Sequence, residues 1–367
     1  MNDSRQVHKL VMRKDDLETM EMVSEPDNGS LEAGEALLRV HRFSLTTNNI
    51  TYAAYGEPMQ YWDFFPVADS AWGQMPVWGF AEVEATTTDD LAVGERIYGY
   101  LPIADTLRVR PSRVTAGGFV DDMPHRRELP SGYNQYVRCA QDPLYTPETE
   151  ALQAIYRPLF VTSYTLANYL RDNDFFGANR IVLSSASSKT AYGTAFALTG
   201  DDIEVVGLTS ATNADFVRGT GFYDQIVDYS EVTALPTDKA TLYVDFAGNR
   251  DLRSTIHHHF GDELRFSSVV GSAKTTELPR KMELPGPRPT FFFAPEQIRK
   301  SQQEWGREVF GKRFGAAWSS FLERAANSDV PVIRVVEGHR FDAAERVTRS
   351  LLRGKVPPQE GHIVTLD

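Results

Sequence analysis

The sequence predicts an α/β chain in two parts, a β-rich lobe and a doubly wound parallel-sheet domain, and three observations carry that reading. The 367 residues are enough for two domains at roughly 150 residues each. The first third carries short runs that alternate apolar and polar side chains, the period of a half-buried antiparallel strand. From about Thr146 onward, short apolar runs alternate with helical segments of about three turns, the pattern of βαβ units whose right-handed crossovers make a parallel sheet. Composition agrees with a folded chain: 41% hydrophobic and 24% charged residues exclude wholesale disorder.

In the lobe the predicted strands are Glu35–Phe43, Val77–Val83 and Glu95–Leu101. Between Met59 and Gln74 lies an irregular segment holding Tyr61, Trp62, Phe64, Phe65 and Trp72. So aromatic a loop packs against something. It is either ordinary loop packing or the wall of a substrate pocket lined by Tyr61 and Trp62, with Tyr133 and Asn134 closing the other side. The second part opens with a helix over Glu150–Asn173 and a strand over Arg180–Ser184. A helix near Thr190–Leu198, a strand at Glu204–Leu208 and a helix near Asn213–Gly219 follow. Further strands are expected at Gln225–Val227, Thr241–Asp245, Phe266–Val270 and Pro289–Phe293. Ile298, Trp305, Val309, Phe310, Ala317, Phe321 and Leu322 recur at three- and four-residue steps and predict one long amphipathic helix. A strand near Val332–Val336, a helix near Ala343–Leu352 and Ile363–Leu366 end the chain. The expected division is 1–150 with 297–367 for the first domain and 151–296 for the second.

Charge narrows the partners. Lys and Arg number 38 against 50 Asp and Glu, a net charge of −12, so the chain has no general attraction for nucleic acid phosphates or anionic lipid. The one cysteine, Cys139, excludes an intrachain disulfide and a cysteine-based zinc knuckle, and suits a reducing compartment. No apolar run approaches the ~20 residues that cross a bilayer, and Met1–Leu10 lacks the apolar stretch of a leader. The expectation is a cytoplasmic protein acting on a small molecule, with no nucleic-acid or membrane partner.

In an open parallel sheet, ligands bind outside the carboxyl ends of the strands at the topological switch point, which directs attention to the turn after the first strand. That turn is Ser184-Ser-Ala-Ser-Ser-Lys-Thr190. The glycine-rich pattern of a dinucleotide site is missing, and only Gly193 remains where close packing is expected. Backbone amides at a helix N-terminus bind phosphate when the side chains are small. Ser185, Ser187, Ser188 and Thr190 supply further donors, and Lys189 can neutralise a pyrophosphate. The competing reading is a serine-rich helix cap with a solvated lysine. The second strand ends Val206-Gly-Leu-Thr-Ser210, without the acid that holds the ribose hydroxyls of NAD. Thr209, Ser210 and Asn213 can instead donate to a 2′-phosphate, which favours NADP(H); alternatively Ser210 merely caps the next helix.

Other signals carry less. His257, His258 and His259 are consecutive, so on a helix they diverge by about 100° each and cannot share a metal; a surface helix end is expected. His125-Arg-Arg127 suggests a solvated basic loop, and no nucleophile elbow of a hydrolase is present.

With these elements in place the chain resembles the medium-chain dehydrogenase/reductase superfamily, in its zinc-independent quinone- and enoyl-reductase branch, over most of its length. Glu35–Gly56 is similar to the first strand and substrate-side loop of that family's GroES-like domain, and Trp78–Tyr98 to its run ending "vGDrVyg". Leu159–Leu166 matches the "lTAY.aL" helix, Ile226-Val-Asp-Tyr229 the "vidY" run, and Phe341–Gly354 the C-terminal "ledaaeAhrlLesGk". The resemblance implies a GroES-like domain followed by a Rossmann domain, with NADP(H) as cofactor. It implies that Thr162 lies near the nicotinamide and Tyr229 near the 2′-phosphate. It implies that Phe246 and Ala247, in Asp245–Gly248, and Gly271, after Val269-Val270, line the cofactor groove, and that the protein is a homodimer. Runs such as Asn48–Tyr52 and Tyr133–Tyr136 are similar to the group of proteins called DUF2855, which names a fold and not a reaction.

Where zinc enzymes of the superfamily carry a cysteine and a Gly-His-Glu motif, this chain has Thr46-Thr-Asn-Asn49 and Trp78-Gly-Phe-Ala81, so no catalytic metal is expected. Without a metal, the negative charge that develops on a substrate oxygen is met by a hydrogen-bond donor or an acid. Tyr52 is the expected acid, with Asn49 beside it and Tyr55 as the second choice. The expected function is NADP(H)-dependent reduction of a carbonyl or α,β-unsaturated carbonyl. The alternatives are an NADP(H)-assisted lyase or retro-aldol enzyme, and a non-catalytic nucleotide sensor.

Overall fold

The structure, a computed structural model, describes residues 5–27, 30–270, 284–326 and 331–366. It separates into two compact units, Met1–Ile155 with Val335–Asp367 and Tyr156–Arg334.

The first unit begins with β1 (Arg5–Arg13), β2 (Met20–Asp27) and β3 (Ala36–Leu45). Helix α1 (Thr47–Ala54) follows, where the sequence suggested only strand and loop. It forms because Asn49 Oδ1 accepts from the Thr46 amide at 2.8 Å and closes a capping box over the first turn. After a short 3₁₀ turn over Tyr61–Phe64 come β4 (Trp72–Gly73), β5 (Val77–Thr86), β6 (Arg96–Leu101), β7 (Thr106–Val109), β8 (Pro111–Thr115), β9 (Gly118–Asp121) and β10 (Gln135–Arg138).

Helix α2 (Glu150–Asp172) carries Pro158 inside it. A helical proline withdraws the N–H that would bond to the carbonyl four residues back. The orphaned carbonyl is that of Ala154, and the buried Ser44 hydroxyl donates to it at 2.7 Å.

The second unit then alternates strand and helix: β11 (Arg180–Leu183), α3 (Lys189–Ala197), β12 (Glu204–Thr209), α4 (Ala214–Thr220), β13 (Gln225–Asp228), β14 (Thr241–Asp245), α5 (Arg250–Phe260), β15 (Leu264–Val269) and β16 (Thr290–Phe291). All pairings are parallel, in the order β13-β12-β11-β14-β15-β16. Alternation along each strand sends side chains to both faces. Ile181, Leu183, Leu242 and Val244 meet α2 and α3 through Leu166, Leu170, Ala195 and Leu198. Val182, Val206, Leu208 and Tyr243 meet α5 through Leu252, Ile256 and Phe260 on the other face.

The expected long helix is two, α6 (Ala294–Trp305) and α7 (Arg307–Ala326), because Gly306 between them takes a φ of +84° that no continuing helix allows. Both belong to the second unit, so the return to the first unit lies at 335 rather than 297. The cause is aromatic packing: Phe321 stacks on Phe160 with ring centroids 4.4 Å apart, and Phe314 and Phe310 pack on Tyr164. The chain ends with β17 (Arg334–His339), α8 (Arg340–Leu352) and β18 (Glu360–Thr365). β18 pairs antiparallel with β3, and α8 buries Phe341, Ala344 and Leu351 in the core of the first unit.

Candidate functional site

Counted in chain order, the six parallel strands run 3-2-1-4-5-6, and the order reverses between β11 and β14. That crevice is where an open α/β sheet binds its ligand. The turn leaving β11 and the loop leaving β14 flank it. Ser184, wholly buried, directly follows β11. Its hydroxyl donates to Asp245 Oδ1 at 3.1 Å and accepts from the amides of Phe246 at 2.9 Å and Ala247 at 3.0 Å. Asp245 Oδ1 also accepts from the Gly248 amide at 2.8 Å, while Oδ2 takes Nε and Nη2 of the buried Arg253.

Each further residue of the turn is held by a different element. Ser185 stands in the left-handed region, φ +52°, and its amide donates to the Tyr229 hydroxyl at 2.9 Å. The Ala186 amide bonds to the Leu208 carbonyl, and its own carbonyl accepts from the Tyr223 hydroxyl at 2.8 Å. Tyr223 reaches the turn because β12 carries Gly207, where a Cβ would stand 2.8 Å from the Tyr223 ring and 2.9 Å from Ala186. Ser187 Oγ accepts from Asn213 Nδ2 at 3.2 Å, and Ser188 caps α3 by accepting from the Ala191 amide. Ser163 of α2 donates to the Thr190 carbonyl at 2.8 Å, and Gly193 leaves room for that serine, not for a strand.

Three expectations shift accordingly. Ser187 and Ser188 are engaged by Asn213 and by the helix cap, so the donors the turn offers an anion are chiefly backbone amides at the N-terminus of α3, beside the half-buried Lys189 and Thr190. Tyr229, raised in pKa by burial, holds the Ser185 amide. At the end of β12, Thr209 is buried and Ser210 opens a 3₁₀ turn that leads to Asn213, with no carboxylate among Thr209–Asn213. Thr162 is half-buried on α2, its hydroxyl turned back to the Pro158 carbonyl at 3.4 Å. Phe246 and Ala247 stand in the β14 loop as expected; Gly271 lies outside the described residues. This set suits a dinucleotide phosphate: small side chains, a helix N-terminus, a lysine and no carboxylate within Thr209–Asn213.

In the first unit, Tyr52 is buried on α1 and its oxygen accepts from Asn48 Nδ2 at 2.8 Å and Trp78 Nε1 at 3.0 Å. Burial raises its pKa well above that of a free phenol. It packs with Tyr61, Phe64, Phe65 and Tyr100, with Tyr55 and Tyr133 half-buried against the cluster. The Tyr61 and Tyr133 hydroxyls are 3.2 Å apart, and the Tyr100 hydroxyl is buried without a hydrogen-bond partner.

Three residues expected near the substrate are structural instead. Asn49 spends Oδ1 on the capping box and Nδ2 on the Pro76 carbonyl at 2.9 Å. Trp62 is core, its ring lying where Gly56 and Gly73 leave space. Asn134 bonds Arg126 through both ends of its amide, at 2.9 and 2.7 Å. Arg126 is wholly buried rather than part of a solvated loop. His257 is also buried, between the Pro285 carbonyl at 2.9 Å and Ser267 Oγ at 3.0 Å, and burial lowers its pKa. Among the described residues no three His, Cys, Asp or Glu side chains are grouped to hold a metal ion, and no helix is long and apolar enough to cross a membrane. The Ser184–Asp245–Arg253 network went unforeseen; the signal for it was an aspartate closing an otherwise apolar strand.

The class follows from these features: the fold is a GroES-like domain with a Rossmann domain, which the chain shares with solved oxidoreductases. Three solved structures illustrate it. CurA from Vibrio vulnificus, also solved with NADPH, has a TM-score of 0.59 and 14% identity, over 98% of this chain and 99% of that one. The yhdH oxidoreductase from Salmonella enterica in complex with NADP gives 0.56 and 13%, over 98% and 100%. The CurK enoyl reductase gives 0.55 and 12%, over 99% and 100%. No curated protein matches the chain in sequence. The chain belongs to the DUF2855 family of proteins of unknown function, which matches residues 43–357.

Proposed function

We propose that the chain is an NADP(H)-dependent, zinc-independent oxidoreductase that reduces a carbonyl or α,β-unsaturated carbonyl compound. The observation that carries this is the turn Ser184–Thr190 at the switch point of the second unit. It offers a helix N-terminus, small side chains and Lys189, while the neighbouring strand ends in Thr209 and Ser210 without a carboxylate. An acid at that strand end would repel a 2′-phosphate, whereas hydroxyls and the Asn213 amide donate to it. Fold neighbours solved with NADP and NADPH support the choice.

In this reading NADPH, when bound, supplies the hydride. The amides at the start of α3 and Lys189 hold the pyrophosphate, and Ser210 and Asn213, beyond the buried Thr209, meet the 2′-phosphate. Tyr52 serves as proton donor: Asn48 and Trp78 both donate to its oxygen, which would stabilise the phenolate left after transfer. A cytoplasmic setting accords with the single cysteine, which is buried. A second copy would join along β16, where the described sheet ends and Phe291 is 52% exposed; size-exclusion chromatography with light scattering tests that.

The deciding experiment is titration of the full chain with NADPH and NADH, followed by cofactor fluorescence. Saturable NADPH binding, at least about tenfold tighter than NADH, is expected, since one hydrogen bond to a charged group contributes about that much. Absence of saturable binding overturns the assignment. Oxidation of NADPH in a panel of aldehydes, quinones and enones then separates an enzyme from a sensor.

A further inference from the structure

In the turn after the first strand, where dinucleotide sites carry glycines, this chain carries serines, and the first of them, Ser184, is wholly buried with a full complement of hydrogen-bond partners. Ser184 Oγ has one proton and two acceptor positions. The proton goes to Asp245 Oδ1, and the acceptor positions take the amides of Phe246 and Ala247. Asp245 accepts only, and Arg253 and the Gly248 amide fix its orientation. The direction of the Ser184 hydroxyl is therefore set, and with it the distance between the two loops that flank the switch point. Ser184 is also the residue from which the turn departs: next to it Ser185 takes a left-handed conformation, and four residues later α3 begins at Lys189.

We propose that Ser184 is a positioning residue for the dinucleotide pyrophosphate. It touches no cofactor; it ties the β11 turn to the β14 loop so that the amides at the start of α3 face the diphosphate in one fixed arrangement, the role that glycine-specific backbone geometry fills elsewhere. The proposal rests on the reading of the second unit as an NADP(H) site. It assigns Ser184 to the pyrophosphate alone, since none of its bonds reaches the end of β12, where the 2′-phosphate is met.

The test compares nucleotides with and without a diphosphate on the intact chain. Binding of NADPH, 2′-phospho-ADP-ribose and adenosine 2′-monophosphate is measured by calorimetry for the wild type, Ser184→Ala, Ser184→Gly and Ser184→Thr. For Ser184→Ala the two diphosphate ligands should weaken by about tenfold or more, as expected for misaligned donors to a charged group. Adenosine 2′-monophosphate should stay within about twofold, and Ser184→Thr, which keeps the hydroxyl, should restore most of the loss. Ser184→Gly removes the hydroxyl while easing the turn, so it gives the same comparison should the alanine variant fail to fold. Equal weakening of all three ligands, or none, overturns the proposal. A wild type that binds none of them overturns the cofactor reading itself.

Discussion

In the first unit the side chains of Arg126 and Asp121 are 1% and 0% exposed and meet at 2.7 Å; in the second, those of Arg253 and Asp245 are 5% and 0% exposed. The same buried ion pair serves two ends. Arg126 gives Nε to Asn134, Nη1 to Asp121 and the Tyr136 hydroxyl, and lays its guanidinium over Phe64 and Phe65 at 5.4 and 5.1 Å. All those partners are interior, and the pair fastens the 121–136 segment behind the tyrosine cluster. Arg253 spends Nε and Nη2 on one oxygen of Asp245, which leaves the other to hold Ser184 and Gly248 at the carboxyl ends of the strands. Burial and charge alone therefore do not mark a functional site; the partners that the pair reaches do.

The largest expected effect breaks each pair in turn. Arg126→Ala and Asp245→Ala should each cost about 3–5 kcal/mol, because a buried charge is left uncompensated; urea unfolding measures it. The comparison predicts a split: chain that remains folded with Arg126→Ala keeps its NADPH affinity, whereas Asp245→Ala loses it. Loss of affinity in both would erase the distinction.

Alkali acts on the two units alike. Burial holds Tyr136 up to about 12 and keeps Tyr52, Tyr100, Tyr192 and Tyr223 above the ordinary phenol value. The unfolded chain releases these protons near pH ~10, so stability is intact below that pH and falls as pH rises toward 12. Tyrosinate absorbance should appear together with the loss of circular dichroism. Gradual ionisation of these phenols ahead of unfolding would contradict their burial.

The strand and helix order was legible because periodicity reports burial, and burial is what the two-faced sheet of the second unit enforces. Helix α1 escaped notice because Thr47–Ala54 is short and its capping box is closed by an asparagine rather than a glutamate. Arg126 was hidden in a basic triplet that, by charge alone, looked solvated; its partners Asn134 and Tyr136 are buried polar residues just before and within β10. The turn at Ser184 was found from topology, but its bracing was not. Ser184 and Asp245 are 61 positions apart, and no local spacing announces a hydrogen bond across adjacent strands. The resemblance implies Tyr229 near the 2′-phosphate; what it could not reveal is that the same hydroxyl accepts from the Ser185 amide.

Smaller effects sharpen the contrast between satisfied and unsatisfied hydroxyls. Tyr52→Phe strands Asn48 Nδ2 and Trp78 Nε1 and should cost about 1–3 kcal/mol. Tyr100→Phe removes a buried hydroxyl that has no partner and should be neutral or slightly stabilising by the same rule. Melting temperatures of the two variants give the answer, and similar losses in both would show that the Tyr100 hydroxyl is satisfied in solution.

The smallest effect concerns the turn itself. Ser185 holds φ +52°, a conformation that costs an ordinary L-residue about 1–2 kcal/mol and glycine almost nothing. Against that gain, glycine adds about 0.5–1 kcal/mol of unfolded-state freedom, so Ser185→Gly should stabilise the chain by at most about 1.5 kcal/mol. The Ser185 amide still reaches the Tyr229 hydroxyl after the change, since the donor of that bond is the backbone N–H of residue 185. NADPH affinity should therefore stay within about twofold, a difference well under one hydrogen bond. A stabilised variant with unchanged affinity means that the bracing by Ser184 and Tyr229, and not the serine at 185, sets the cradle. A destabilised one means that the Ser185 side chain contributes more than its strained backbone costs.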